Sequence, residues 1–331
     1  MKIALLGSTG QVGQSILRAL LTTTPYHVLQ IVSPRSEPTA LTTAQTFTPD
    51  QQARLTTKAL DLVTCSTDDL VSMLTNTSII ISVLNGPALA SQSRILDAAA
   101  IAGVKRFYPS EYGMHCIYQP LGEECGYVHP TWMAKITATD QCLHHPSIAS
   151  GDITYTLIGC GDIYNQSREE TWCPWTNPSP TLPSYTVYMI GNPDAKVDFT
   201  LTDDLAAFIV ETVRYPELSE NKELNVVSDR LSYNEIAGLL ERVSGREVKR
   251  VVFPGGLVDE VLRDGGNVPR EVKGEGEGGR FGDDFWILVR GIQGQGRFVR
   301  PVGMVHNGVF GGIEVRGRKV EGYLEELFGG K

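Results

Sequence analysis

The chain has 331 residues, of which 41% are hydrophobic, so it is long enough to bury a large core. Its formal net charge of -9 repels phosphate backbones, which excludes binding to nucleic acid through bulk charge. Six scattered cysteines form no CxxC pair and no apolar run approaches the roughly 18 residues of a membrane span, so we expect free thiols, no membrane association and a cytoplasmic location.

The first half of the chain alternates apolar strands with amphipathic helices. Strands are predicted at residues 2–6, 27–32, 59–63, 78–84 and 104–108, with helices at 12–21, from 68 and at 88–102. This alternation is typical of a doubly wound parallel sheet with right-handed crossovers. We therefore predict an α/β fold with a Rossmann-like dinucleotide-binding domain over residues 1–155.

The second half has a looser pattern. Helices are predicted at 133–143, 202–214 and 232–244, strands at 153–158, 196–200 and 224–227, and a long loop at 172–184. From residue 254 the chain is rich in glycine, so we expect few regular elements there and a mobile stretch near 264–282. Residues 156–331 are predicted to form a smaller substrate-binding region, interleaved with the first domain and ending in this glycine-rich tail.

A glycine-rich loop follows the first strand and opens the first helix. It consists of Gly7, Ser8, Thr9, Gly10, Gln11, Val12 and Gly13. The three glycines allow a tight turn, close backbone approach to a diphosphate and close packing of helix on strand, while free amides and the helix dipole attract the anion. Ser8 and Thr9 can add hydroxyl donors. We predict a dinucleotide site here; the alternative is a purely structural loop.

The end of the second strand distinguishes the two nicotinamide cofactors. NAD enzymes carry Asp or Glu there for the ribose 2′-hydroxyl, whereas an arginine accommodates the 2′-phosphate of NADP. No carboxylate precedes Glu37, and Arg35 is well placed. The sequence therefore favours NADP(H), with a solvated surface charge as the alternative for Arg35.

Residues 103–113 read GVKRFYPSEYG, a pattern that is quite specific to one group of proteins. Together with the loop GSTGQVG and the helix around Lys135, this stretch resembles the isoflavone reductase-like branch of the NmrA-like, atypical short-chain dehydrogenase families. The segments 191–199, 203–205 and 224–235 also fit, so the resemblance covers roughly residues 1–253. It implies an NADPH-binding domain, a smaller substrate domain and a lysine on a helix beside the nicotinamide.

The resemblance assigns this lysine to Lys135, within a segment WMAK in which Trp132 replaces the family's phenylalanine. Lys135 is expected to act as proton donor or to orient the nicotinamide ribose. Position 131 is threonine, so the Tyr-xxx-Lys pair of ordinary short-chain dehydrogenases is missing. Asn85 and Gly86 end the fourth strand at its carboxyl edge, where ligands of such sheets bind, and are expected to face the cofactor. Gln92, which falls where the family approaches the cofactor, and Gly159, after the strand at 153–158, are expected to face it too.

The expected substrate-facing residues are Met114, Trp132, Asp162, Ile163 and Tyr164. An apolar wall for an aromatic ligand is one reading of Met114, Trp132 and Tyr164, and a plain core or lid role is the other. Asp162 either binds a substrate hydroxyl or amine or caps a turn. Glu111 is read as a structural, hydrogen-bonded carboxylate, with a second acid or base as the alternative.

No metal site is expected. His115, Cys116, Cys125 and His129 are close in sequence, but their spacing fits no compact zinc site.

Three functions are compatible with the sequence. The favoured one is an NADPH-dependent reductase acting on a small, aromatic secondary metabolite. The second is an NADP(H)-sensing regulatory protein that performs no chemistry, and the third is an isomerase or cyclase on the same fold. A homodimer is compatible with all three.

Overall fold

The computed structural model describes residues 1–114, 130–167, 169–179, 181–273, 282–310 and 319–329. The residues considered for zinc, at 115, 116, 125 and 129, and residues 274–281 of the glycine-rich tail lie outside this part. The strands are Lys2–Leu6 (β1), His27–Val32 (β2), Leu55–Ala59 (β3), Ile79–Ser82 (β4), Arg106–Tyr108 (β5), Thr154–Cys160 (β6), Asp162–Ile163 (β7), Ser184–Ile190 (β8), Val197–Thr200 (β9), Lys222–Val226 (β10), Asp229–Leu231 (β11) and Glu247–Phe253 (β12). The helices are Gln11–Thr23 (α1), Glu37–Ala44 (α2), Pro49–Ala53 (α3), Thr67–Leu74 (α4), Gln92–Ala102 (α5), Pro130–Leu143 (α6), Pro146–Ala149 (α7), Thr202–Arg214 (α8), Pro216–Ser219 (α9), Tyr233–Ser244 (α10), Leu257–Arg263 (α11), Asp283–Gly294 (α12) and Val320–Gly329 (α13).

A seven-stranded sheet forms the centre of the molecule, in the order β10-β6-β5-β4-β1-β2-β3. All of its neighbouring strands are parallel. The strand order reverses between β1 and β4, and ligands of doubly wound sheets bind at this switch point, beyond the carboxyl ends of the strands. The predicted Rossmann-like fold is confirmed.

Both faces of this sheet are covered, which explains why its central strands are continuously apolar. Leu5 of β1 belongs to a core shared with α1 and α8, where Ile209 is fully buried. Leu6, the next residue, points to the opposite face and packs with α4 and α5, where Ile95 is fully buried. Each such buried side chain contributes about 1.5–3 kcal/mol relative to an exposed one.

The remaining strands form two small sheets, β11-β9-β7 and β12-β8. Their core is rich in aromatic residues, including Trp175 and Phe199, and α10 and α13 pack against it. The expected boundary near residue 155 falls inside β6, and β10 rejoins the large sheet from residue 222 onward. The two expected regions therefore alternate along the chain.

The third strand lies at Leu55–Ala59, so its predicted position at 59–63 is wrong. β3 is an edge strand, and the side chains of Thr56 and Lys58 are exposed on it. Its sequence is consequently polar at alternate positions and resembles a loop. The apolar run after Ala59 leaves the sheet and buries Leu62 instead.

Regular structure is also more extensive in the second half than predicted. β8 and β12 pair with each other in parallel although they are separated by more than 50 residues, so neither has a local signal. The expected scarcity of elements after residue 254 is wrong for α11, α12 and α13.

A buried ion pair fixes α12 to the segment after β6. Arg290 on α12 is 1% exposed, and its Nη1 lies 3.5 Å from Asp162 Oδ2. That oxygen also accepts hydrogen bonds from Gln293 Nε2 at 2.9 Å and from the Tyr233 hydroxyl at 3.2 Å. The guanidinium carbon of Arg290 lies 4.0 Å from the centre of the Tyr233 ring. Asp162 is therefore bound by protein groups that the sequence did not reveal.

We predict that the stability advantage of the wild type over Asp162→Asn decreases as the pH rises. Burial raises the pKa of Asp162, although Arg290 opposes this shift. The folded protein thus holds the proton to a higher pH than the unfolded chain, whose Asp titrates near the ordinary value of 3.8. The contribution is complete below that value and is lost as the pH rises through the folded pKa.

Urea unfolding of both proteins from about pH 4 to about pH 8 measures this difference. The exposed Asp259, changed to Asn, controls for the loss of one negative charge. A difference that grows with pH contradicts the prediction.

Candidate functional site

The carboxyl ends of four neighbouring strands, β2, β1, β4 and β5, lie along one edge of the sheet. Arg35 follows β2, the glycine loop follows β1, Gly86 follows β4, and Glu111 follows β5. The three strand spacings between β2 and β5 amount to about 14 Å. The predicted cofactor residues of the first domain therefore lie in one row along this edge of the sheet, which we call the groove.

The glycine loop has no room for side chains at two of its positions. Gly7 has φ +80, and a Cβ atom there would lie 2.3 Å from the carbonyl oxygen of Val83. A Cβ on Gly13 would lie 2.2 Å from the carbonyl oxygen of Gly7. Glycine is thus required for the loop to contact the end of β4 and for α1 to contact the loop.

The N-terminus of α1 suits an anion. Its N-cap is Gly10, which makes no side-chain capping hydrogen bond, and its first turn contains no acidic residue. The amides of Gln11, Val12 and Gly13 precede the first intrahelical bond, which Gln14 makes to Gly10 at 2.8 Å. Unpaired amides and the positive end of the helix dipole together form a cradle that fits a diphosphate.

The two hydroxyl side chains of the loop differ in availability. Ser8 is 1% exposed, and its Oγ donates to Gln30 Oε1 at 2.8 Å. Its hydroxyl proton is thus used inside the protein, which corrects the expectation that Ser8 adds a hydroxyl donor. Thr9 is half-buried and accepts from Gln14 Nε2 through its carbonyl at 3.1 Å. Its hydroxyl stays a candidate for phosphate.

Arg35 lies in a short turn directly after β2 and is exposed. Among the described residues, its guanidinium makes no hydrogen bond or ion pair. The arginine is therefore available to a phosphate at this end of the groove.

Two loops form the middle of the groove. Gly86 is exposed with φ +60, and Asn85 before it is half-buried. Gln92 is 1% exposed, and its Oε1 accepts from the amide of Ser110 at 2.8 Å. Its Nε2 is buried without a partner among the described residues. Gln92 thus fixes the loop after β5 and keeps one buried donor for a further acceptor.

Lys135 reaches the loop after β5 from α6. Its Nζ donates to the carbonyl oxygen of Glu111 at 2.6 Å. One helical turn later, Thr139 Oγ1 donates to Glu111 Oε2 at 2.9 Å. Glu111 is 7% exposed, and this contact gives it the structural role that the sequence favoured. Sequence reasoning missed Thr139, although its i,i+4 spacing from Lys135 places it on the same helical face.

The expected substrate residues fall into two groups. Three of them, Met114, Trp132 and Ile163, are half-buried. The Trp132 ring packs edge-on against the Phe285 ring, with 5.9 Å between the ring centres. Tyr164, in contrast, is fully buried in the aromatic core of the second region. Tyr164 therefore has a role in the core and not the expected contact with substrate. The same correction applies to Asp162, which binds α12.

Gly159 also differs from its expected position. It is a buried residue inside β6, opposite Asn225 of β10, because β6 continues to Cys160. Burial raises the pKa of the Cys160 thiol to about 12, so this side chain stays protonated near neutral pH. Gly159 is therefore part of the sheet, and Cys160 is not a thiolate nucleophile.

Sequence reasoning missed Arg300, which comes from the tail and is 1% exposed. Its Nη2 donates to the carbonyl oxygens of Gly113 at 2.9 Å and Cys160 at 2.6 Å. The tail thereby joins the loop after β5 to the end of β6, and nothing in its composition signals this.

Within the described ranges, no group of three or more His, Cys, Asp or Glu residues could hold a metal ion. No helix in that part of the chain is long and apolar enough to cross a bilayer.

The chain is similar to known proteins over most of its length. The model of the NmrA-like family matches residues 1–275. An isoflavone reductase homolog from Zea mays is 29% identical over 257 residues, which cover 76% of this chain and 77% of the relative. A phenylcoumaran benzylic ether reductase from Pinus taeda is 26% identical over 274 residues, covering 79% and 80%.

Solved structures show the same fold. An isoflavone reductase superposes with a TM-score of 0.73 at 18% identity, covering 98% of this chain and 99% of that one. The binary complex of leucoanthocyanidin reductase with NADPH from Vitis vinifera gives 0.65 at 20% identity, covering 91% and 89%. Because the family model spans most of the sequence, and the fold and the glycine loop agree with it, the chain belongs to the NmrA-like family.

Proposed function

We propose that this protein is an NADPH-dependent reductase of the isoflavone reductase-like type, acting on a small aromatic molecule with Lys135 as general acid. The observation that carries the proposal is the position of Lys135 Nζ, 2.6 Å from the carbonyl oxygen of Glu111. This places an ammonium group at the carboxyl end of β5, on the same edge as the glycine loop.

The cofactor residues follow from the groove. The amides of Gln11, Val12 and Gly13 hold the diphosphate, and Arg35 binds the 2′-phosphate through its charged guanidinium. Gln92 fixes the loop after β5, which lies on this edge, through the bond that its Oε1 accepts from the amide of Ser110. When bound, NADPH supplies the hydride for the reduction.

Lys135 neutralises the negative charge that builds on the substrate. An ammonium group has three protons, and the bond to Glu111 uses one of them. Two donors are left for the substrate, so Lys135 can be held in place and still donate a proton. The bond between Thr139 and Glu111 fixes the loop that receives Lys135.

The proposed substrate class rests on three of the expected substrate residues. Met114, Trp132 and Ile163 are half-buried and apolar, and such surfaces favour a flat aromatic ligand. The relatives named as isoflavone and phenylcoumaran benzylic ether reductases support this class.

We predict that Arg35→Glu lowers the preference for NADPH over NADH by about tenfold or more, because a carboxylate repels the 2′-phosphate that the guanidinium attracts. Dissociation constants for both nucleotides, measured by calorimetry, give the ratio. Arg18→Glu makes the same charge change at an exposed position on α1 and should leave the ratio unchanged. If Arg35→Glu leaves the preference for NADPH over NADH unchanged, Arg35 does not bind the 2′-phosphate.

We predict that Lys135→Ala lowers kcat by about 10²- to 10⁴-fold while NADPH binding is largely retained, because the general acid is lost. NADPH oxidation is followed with a panel of aromatic enones and benzylic ethers. Lys105→Ala, at an exposed position before β5, is the matched control.

Full activity in Lys135→Ala contradicts the assigned role. A wild-type protein that binds NADPH tightly but turns over no member of the panel favours the sensor function instead.

A further inference from the structure

We propose that Asn165 is a positioning residue that orients the side chain of Gln11 beside the diphosphate cradle. Gln11, Asn165 and Thr202 form what we call the Asn165 cluster. The inference rests on the proposed binding of NADP(H), and it assigns a cofactor role to a residue outside the glycine loop.

Gln11 links the cradle to the second region. It is the first residue of α1, and its Nε2 donates to the carbonyl oxygen of Asn165 at 2.5 Å, across 154 residues of sequence. An amide nitrogen carries two protons, so this bond leaves the second proton for an acceptor next to the N-terminus of α1. A diphosphate held by the first-turn amides is such an acceptor.

The side chain of Asn165 is itself held at two points. Its Nδ2 donates to Thr202 Oγ1 at 2.9 Å, and its Oδ1 accepts from the amide of Thr202 at 3.3 Å. Thr202 begins α8, and the Ser15 hydroxyl of α1 lies 3.1 Å from Thr202 Oγ1 and donates to Oδ1 of Asp203, the next residue of α8, at 2.9 Å. The bonds therefore form a closed ring that runs from α1 through Asn165 and α8 back to α1.

This ring explains how the carbonyl of Asn165 keeps a fixed position. A loop carbonyl would otherwise move relative to α1, and the Gln11 amide would sample several rotamers before binding. Because the Asn165 carbonyl is held in place, the side-chain amide of Gln11 is already ordered before the nucleotide binds. Less conformational entropy is therefore lost on binding, and the affinity is higher. Asn165 also lies two residues after Ile163, an expected substrate residue at the end of β7.

The test compares two nucleotides by calorimetry. NADP⁺ contains the diphosphate, whereas adenosine 2′-monophosphate has the adenosine half and the 2′-phosphate but no 5′-phosphate. We expect Gln11→Met and Asn165→Ala each to weaken NADP⁺ binding by about five- to tenfold, with little effect on the monophosphate. The double variant should bind NADP⁺ as tightly as the single variant with the larger loss of affinity, because both changes interrupt the same series of hydrogen bonds.

Asn267→Ala, which removes an exposed side-chain amide elsewhere in the second region, is the control and should change neither affinity. Gln11→Met keeps the length of a half-buried side chain, so it tests the proposal even if Asn165→Ala unfolds the protein. Equal loss of affinity for both nucleotides, or none in either variant, overturns the inference. A wild-type protein that fails to bind NADP⁺ refutes the proposed function itself, and this inference with it.

Discussion

The N-terminus of α1 lies directly against the end of β1, and no side chain larger than hydrogen fits between them. A Cβ on Gly13 would lie 2.2 Å from the carbonyl oxygen of Gly7. This contact fixes where the helix dipole and the unpaired amides point, so it determines where an anion can bind. The role proposed for each other site residue depends on how far along the sheet edge it lies from this contact.

Three segments that follow β5 in the chain are attached to the same edge by buried or half-buried hydrogen bonds. Lys135 contacts the loop after β5, Arg300 joins that loop to the end of β6, and Asn165 contacts the first residue of α1. The glycine-rich tail contributes Arg290 and Arg300, both 1% exposed. A region that looks featureless in sequence thus supplies two buried cations, of which Arg300 joins two segments of the site and Arg290 binds Asp162.

The predictable features are those with local causes. Helix α8 was predicted at its observed bounds because its amphipathic period and acidic first turn are contained in its own sequence. The capping box of Ser232 with Glu235 is present for the same reason. The glycine loop combines a strand, a tight turn and a helix within a few residues, so it too could be read directly.

The features that were missed depend on distant partners. β8 has a strand conformation because β12 pairs with it, and Asp162 is withdrawn from the site because Arg290 on α12 binds it. Tyr164 enters the core because β8, β9 and α13 surround it. No pattern within a short window contains these partners, so the sequence could define the cofactor side of the site far better than the substrate side.

A crystal structure of the protein with NADP⁺ tests the central claim most directly. The account predicts that the diphosphate lies against the amides of Gln11, Val12 and Gly13, that the 2′-phosphate contacts Arg35, and that the nicotinamide is next to Lys135. A nucleotide bound away from the carboxyl edge of the sheet, or with its nicotinamide remote from Lys135, contradicts it.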